Sequence, residues 1–135
     1  MNKKGFTLVE LLLVIAIIGI LAAVLFISLG KQRERARMTT FKENMRGLVT
    51  AATACRDSGG AILAVQSAAL CNPANDIGNI PAMGNCNGNG NIPAGTFTVS
   101  NASADNWNFD AVCNKATGDC VATCDVNGCV FTDCE

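Results

Sequence analysis

The chain has 135 residues, 50% of them hydrophobic, a formal net charge of −1, no histidine and no tyrosine. With no imidazole, and no serine or cysteine nucleophile beside an obvious base, acid–base and nucleophilic catalysis have little foothold. The aspartates lack calcium-loop spacing and no glycine-rich phosphate loop follows a strand, so no enzyme activity, catalytic residue, cofactor or resident metal is expected.

The N-terminus is the most informative stretch. Met1-Asn2-Lys3-Lys4-Gly5 is a short basic leader, followed by Phe6-Thr7-Leu8-Val9-Glu10. From Leu11 to Leu29 no side chain ionises, and as a helix this run spans about 28 Å, roughly the hydrocarbon thickness of a bilayer. A carboxylate at one end of such a segment costs on the order of 2–3 kcal/mol or more unless a charge meets it. Glu10 is therefore a functional candidate. An ordinary signal peptide has a shorter apolar region ending at a small-residue cleavage site.

Lys4-Gly5-Phe6-Thr7-Leu8-Val9-Glu10-Leu11-Leu12 resembles the processing and assembly signature of type IV pilins and of the pseudopilins of type II secretion. The resemblance covers Met1 to about Gly30 and, more loosely, the helix that follows to about Arg56. It implies cleavage after Gly5 by a prepilin peptidase and methylation of the new amino group on Phe6. It also implies that Glu10 neutralises the N-terminal amine of a neighbouring subunit as a filament grows. Elementary electrostatics agrees, since Glu10 is the anion nearest the amine that cleavage would create. In a low dielectric an unpaired charge carries a large penalty even where desolvation offsets much of the attraction. Many major pilins carry a proline near position 27, where this chain has Ile27; a continuous helix is expected there, and a minor pilin or pseudopilin stays open. Gly19 allows close helix approach or local loosening.

Beyond the apolar run, Met38, Phe41, Met45, Leu48, Val49, Ala52 and Cys55 recur at steps of three or four, while Lys42, Glu43, Arg46 and Thr50 take other faces. This is an amphipathic stripe, half a helix covered by a globular head. Cys55 lies on the stripe and is expected to bridge helix to head, and Gly59-Gly60 stops the helix. Lys31, Arg33, Arg35, Arg37, Lys42 and Arg46 face only Glu34 and Glu43 between positions 31 and 46. Beyond Asp57, Lys115 is the one base against Asp76, Asp105, Asp110, Asp119, Asp125, Asp133 and Glu135. A basic stem and an acidic head attract each other between stacked subunits, or the stem's bases sit on lipid phosphates, or both surfaces are simply solvated. The acidic head would repel nucleic acid, so no such partner is expected.

Residues 61–70 are expected to form a short second helix. From Cys71 to Gly95 the chain turns to asparagine, glycine and proline, including Asn87-Gly88-Asn89-Gly90-Asn91; this composition supplies turns rather than core, an exposed loop clamped by Cys71 and Cys86. Strand patterns follow at Thr96–Ser100 and around Trp107–Val112. Val121–Val126 and Cys129–Thr132 flank Asn127-Gly128, the strongest short hairpin signal. In that register Cys120, Cys124 and Cys129 share a face and Cys134 points to the other. A turn near Lys115–Gly118 sets Cys113 opposite Cys120, which offers a bridge between them. Asn101-Ala102-Ser103 matches a glycosylation sequon of a kind common by chance.

Eight cysteines, Cys55, Cys71, Cys86, Cys113, Cys120, Cys124, Cys129 and Cys134, all lie beyond the apolar segment. Their even number reads as a disulfide framework in an oxidising compartment, which places the C-terminal part outside although the flanking bases leave orientation ambiguous. A zinc site at Cys120, Cys124, Cys129 and Cys134 competes, but it lacks both the tight two-residue knuckle and a histidine. A region as small as residues 58–135 needs such staples, at roughly 2–4 kcal/mol each.

The expected fold is α+β, a long N-terminal helix packed on a small disulfide-rich antiparallel sheet. Its expected divisions are a leader at 1–5, a membrane or filament-core half-helix at 6–30, an amphipathic half-helix at 31–57 and a cysteine-rich head at 58–135. The expected function is a structural subunit of a type IV pilus-like filament for adhesion, motility or DNA uptake. Its precursor would sit in the inner membrane, meeting lipid, prepilin peptidase and the assembly machinery before joining a homo-oligomeric helical filament outside the cell. The alternatives are a pseudopilin of type II secretion and a membrane-anchored extracytoplasmic binding domain that never polymerises.

Overall fold

A computed structural model describes residues 5–73, 77–90, 92 and 97–135. Lys3 and Lys4 of the leader, Asp76, Asn91, the expected strand residue Thr96 and positions 74–75 and 93–95 of the expected loop lie outside the described residues. The chain divides into two compact units, Met1–Arg33 and Glu34–Glu135. The architecture is α+β. Helix α1 covers Leu8–Asp57. A two-stranded antiparallel sheet pairs β1 (Ala61–Ile62) with β2 (Cys71–Asn72). A four-stranded antiparallel meander runs in the order β3 (Phe97–Ser100), β4 (Asn108–Asn114), β5 (Asp119–Asp125), β6 (Gly128–Thr132).

Within Glu34–Glu135 the helical stripe does what its spacing predicts. Met38, Phe41, Met45, Leu48, Ala52 and Cys55 are buried, and Val49 packs against them. The core-facing positions of the sheet follow the two-residue period, with Phe109, Ala111 and Cys113 of β4 and Cys120, Ala122 and Cys124 of β5 buried. Trp107 stacks on Phe109 at 5.4 Å between ring centroids, and Phe97 tilts against Phe109 at 5.8 Å. Fully burying a side chain of this size is worth about 1.5–3 kcal/mol before cavity effects.

The helix ends as Gly59-Gly60 predicts. Gly59 takes φ of 80°, its N–H donates to the Arg56 carbonyl at 2.8 Å, and the Gly60 N–H donates to the Cys55 carbonyl at 2.9 Å. This is a Schellman ending, in which the left-handed residue lets the chain turn back on the last helical carbonyls. Gly60 has a second constraint: a Cβ there would collide with Cys71 Sγ and sit 3.0 Å from Cys55 Sγ. Only glycine lets the chain cross the disulfide that joins the helix to β2.

The structure corrects several expectations. Residues 61–70 form no helix: Ala61 and Ile62 pair with Asn72 and Cys71 as strands, and Ser67 sits at φ 60°. Once the Cys55–Cys71 bridge fixes β2 beside the helix end, the ten-residue interval has to fold back on itself, and tertiary geometry overrides local helical preference. The expected surface loop supplies core after all, since Ile80, Met83, Cys86 and Ile92 are buried. Its polar composition shapes the turns, while a few apolar side chains hook inward. Asn85 is buried too; its side chain accepts from the Asn114 N–H at 2.8 Å, and the Asn87 N–H donates to the Asn114 carbonyl at 2.8 Å. These bonds tie the loop to the end of β4.

The final hairpin turns one residue earlier than predicted. Asp125 pairs with Gly128, so Val126 and Asn127 form the turn and Cys124 faces Cys129 directly. The Asp125 carboxylate accepts the Asn127 N–H at 2.7 Å, an Asx turn that fixes the reversal at this place. Gly128, at φ 134°, then enters β6.

Candidate functional site

The disulfides join Cys55 to Cys71, Cys86 to Cys113, Cys120 to Cys134 and Cys124 to Cys129. The helix-to-head bridge from Cys55 is the predicted one. Cys113 does lie opposite Cys120 across β4 and β5, but no bond joins them, because each reaches a cysteine arriving from outside the sheet. Cys71 and Cys86 both clamp their segment, Cys71 to α1 and Cys86 to β4 rather than to each other. Cys134 does not point away from Cys120. Asp133 adopts φ of 55° just past β6, which breaks the strand alternation and returns Cys134 to the core side. With all eight thiols oxidised, the zinc reading of Cys120, Cys124, Cys129 and Cys134 has no thiolate to use.

Two lysines hold the segment after β6. Lys42 Nζ donates to the Cys134 carbonyl at 2.7 Å, and Lys115 Nζ donates to the Asp133 carbonyl. Lys42 and Arg46 also lie over the Phe131 ring, at 5.8 and 5.3 Å from its centroid. Each such cation–π contact is worth about 0.5–1 kcal/mol at an exposed site. Arg56 donates to the Gly60 carbonyl at 2.6 Å and pairs with Asp105 at 3.3 Å. The basic residues of this unit are thus partly used up in securing its own surface.

The N-terminal unit is built differently. Gly5 and Phe6 are exposed just ahead of α1, Phe6 at 74%. Glu10 is not idle in the isolated chain. Its carboxylate accepts the Thr7 N–H at 2.9 Å and the Thr7 hydroxyl at 2.7 Å, and Thr7 Oγ1 accepts the Glu10 N–H at 3.2 Å. This is a capping box, with Thr7 as N-cap and Glu10 at the third helical position. Thr7 is the residue that sequence reasoning passed over, although a threonine three positions before a glutamate, ahead of an apolar run, is the signal for it. The carboxylate is held at the head of the helix, on the N–H and hydroxyl of Thr7.

Past the cap, Leu8, Val9, Leu11, Leu12, Leu13, Ile15, Ile18, Leu21, Val24, Leu25 and Phe26 all stand exposed. Among the described residues α1 is the helix long and apolar enough to cross a membrane. An apolar surface this continuous is not left to water by a soluble monomer; it marks a membrane or protein contact.

The N-terminal unit thus presents an exposed Gly5–Phe6 bond, a polar capped helix start carrying Glu10, and then a bare apolar helix. Residues 1–26 match the family described as the prokaryotic N-terminal methylation motif. Over 50 residues, 37% of this chain, the sequence is 44% identical to the type IV major pilin protein PilA of Myxococcus xanthus, covering 23% of that protein. Over 38 residues, 28% of this chain, it is 66% identical to the type IV wide pilus major component PilA4 of Thermus thermophilus, covering 29% of that protein. The chain thus matches less than a third of the length of either relative. The family match is confined to the N-terminal segment. No solved structure matches the chain significantly.

Proposed function

We propose that this protein is a structural subunit of a type IV pilus-like extracellular filament, made as a membrane-inserted precursor. The observation that carries this reading is the pairing, in one segment, of an exposed Gly5–Phe6 bond with a Glu10 carboxylate held on the first turn of an apolar, membrane-length helix. A prepilin peptidase cuts after Gly5, Phe6 is N-methylated, and Glu10 meets the Phe6 amine of an adjacent copy. Residues 1–5 act as leader, 6–30 as membrane and then filament-core helix, 31–57 as amphipathic helix and 58–135 as the head displayed outside. The similarity to two pilins over 50 and 38 residues supports this reading, as does a cysteine framework suited to an oxidising compartment. The precursor lies in the inner membrane among lipids and the assembly machinery, and its role is structural rather than enzymatic. Adhesion, motility and DNA uptake are the uses such a filament serves.

The test is electron microscopy of sheared cell-surface material, with mass spectrometry of the N-terminus. Filaments containing this chain, beginning at N-methylated Phe6, are expected. Processed chains that stay cell-bound and form no surface filament would favour the pseudopilin reading. A mature protein that still begins at Met1 would contradict both.

A further inference from the structure

The apolar run of α1 closes at Leu29, and the first charged side chains beyond it are Lys31 and Arg33. Both are exposed, and among the described residues neither has a carboxylate within ion-pairing distance. Arg35 continues the cationic sequence two positions on, with Glu34 as the single intervening acid. Helical rise puts Lys31 about 3 Å beyond Leu29 along the axis. When the run from Leu11 to Leu29 fills the hydrocarbon layer, Lys31 and Arg33 are therefore level with the phosphates of the adjoining leaflet. Their aliphatic stems let the charged ends reach that level while the chain stays apolar below it.

The direction of the charge makes this informative. With the head outside, Lys31 and Arg33 lie on the extracytoplasmic side, where an excess of Lys and Arg works against insertion in that orientation. Two cations at that depth have a cost for topology and no compensating carboxylate among the described residues. We propose that Lys31 and Arg33 bind the phosphodiester headgroups of anionic phospholipid in the extracytoplasmic leaflet. The inference rests on the membrane-inserted precursor proposed above and names what that precursor recognises. Arginine engages a phosphate through its planar fork and lysine as a point charge. The contact fixes the depth of the helix in the bilayer. It also has to break when the subunit leaves for a filament, so anionic lipid content tunes extraction. The alternative occupant is a second copy, whose outer sheet face presents Asp110, Asp119 and Asp125 and no base on β3 to β6.

The experiment uses the full chain reconstituted as unassembled protein in phosphatidylcholine vesicles doped with spin-labelled phosphatidylglycerol or spin-labelled phosphatidylcholine. The motionally restricted fraction of each label gives a relative association constant. Phosphatidylglycerol is expected to be preferred by roughly 5- to 30-fold, with the preference weakened by salt. In Lys31→Gln/Arg33→Gln it should fall by about 3-fold or more, with the near-ultraviolet signal of Trp107 unchanged to show that the head is folded. Equal association of both lipids with the unaltered chain, or the same preference in the double variant, overturns the inference. So does a third result, in which no lipid is preferred but cross-linked dimer falls in both the double variant and Asp110→Asn/Asp119→Asn/Asp125→Asn; the cations then serve a second copy. The readout needs no filament. A chain that forms filaments without lipid preference refutes this inference alone, and one with lipid preference but no filaments refutes the filament reading alone.

Discussion

In Glu34–Glu135 the helical residues Phe41 and Met45 are 2% and 0% exposed, whereas in Met1–Arg33 Leu8 and Phe26 are 77% and 74% exposed. Both sets belong to α1, and both are apolar. The C-terminal unit meets its own hydrophobic demand, closing a core between helix and sheet and fastening it with four disulfides. Among its described residues the N-terminal unit leaves its large apolar side chains exposed, and its helix start is fixed by the Thr7–Glu10 cap. One unit buries its large apolar side chains within itself; the other leaves them exposed, as suits a membrane or protein contact.

Full reduction should break the contrast most severely. Disulfides worth roughly 2–4 kcal/mol each sum to about the whole stability of an ordinary small domain. Reduction is expected to abolish the near-ultraviolet circular dichroism of Trp107 while the N-terminal helix persists in detergent. Persistence of the Trp107 signal with all thiols titratable would mean that the apolar core suffices alone. Among the four bridges, Cys124–Cys129 closes a sequence separation of 5, against 14 to 27 for the others, so its removal should cost least.

Point substitutions sharpen the same comparison. Phe41→Ala should lower the denaturant stability of the head by about 3–5 kcal/mol, because it empties a sealed core. Leu12→Ala, at an exposed position of the other unit, should change it by less than about 0.5 kcal/mol in detergent. Comparable losses would mean that the apolar run contributes to the head's stability. Gly60→Ala should cost about 1–3 kcal/mol through collision with the Cys55–Cys71 bridge, readable in the same unfolding curves. Thr7→Ala removes the N-cap, for about 0.5–2 kcal/mol. It should appear as faster amide exchange in the first turn of α1, with the head unaltered.

What could be read in the sequence follows the same division. Periodic features were legible: the stripe from Met38 to Cys55, the alternation in β4 and β5, the Gly59-Gly60 stop and the opposition of Cys113 and Cys120 all come from local geometry. Features decided by distant contacts were not. Cys113 and Cys120 face each other, yet their bonds go to Cys86 and Cys134, which depends on where the 77–92 segment and the residues after β6 arrive. The turn at Val126-Asn127 goes with the Asp125 carboxylate, which accepts from the Asn127 N–H and side-chain amide and outweighs the Asn127-Gly128 signal. Ile80, Met83 and Ile92 are isolated apolar residues in polar surroundings, and no period announces that they are buried. At the N-terminus the Thr7–Glu10 cap had a local signal, a threonine three positions before a glutamate ahead of an apolar run.

In the filament proposed above, Glu10 is the charge that admits one copy beside another. The direct measurement is filament yield from Glu10→Ala, with N-terminal mass and the Trp107 signal recorded on the same protein. A chain processed at Phe6, folded in its head and unable to form filaments is the expected result. Filaments of normal abundance from that variant would contradict it.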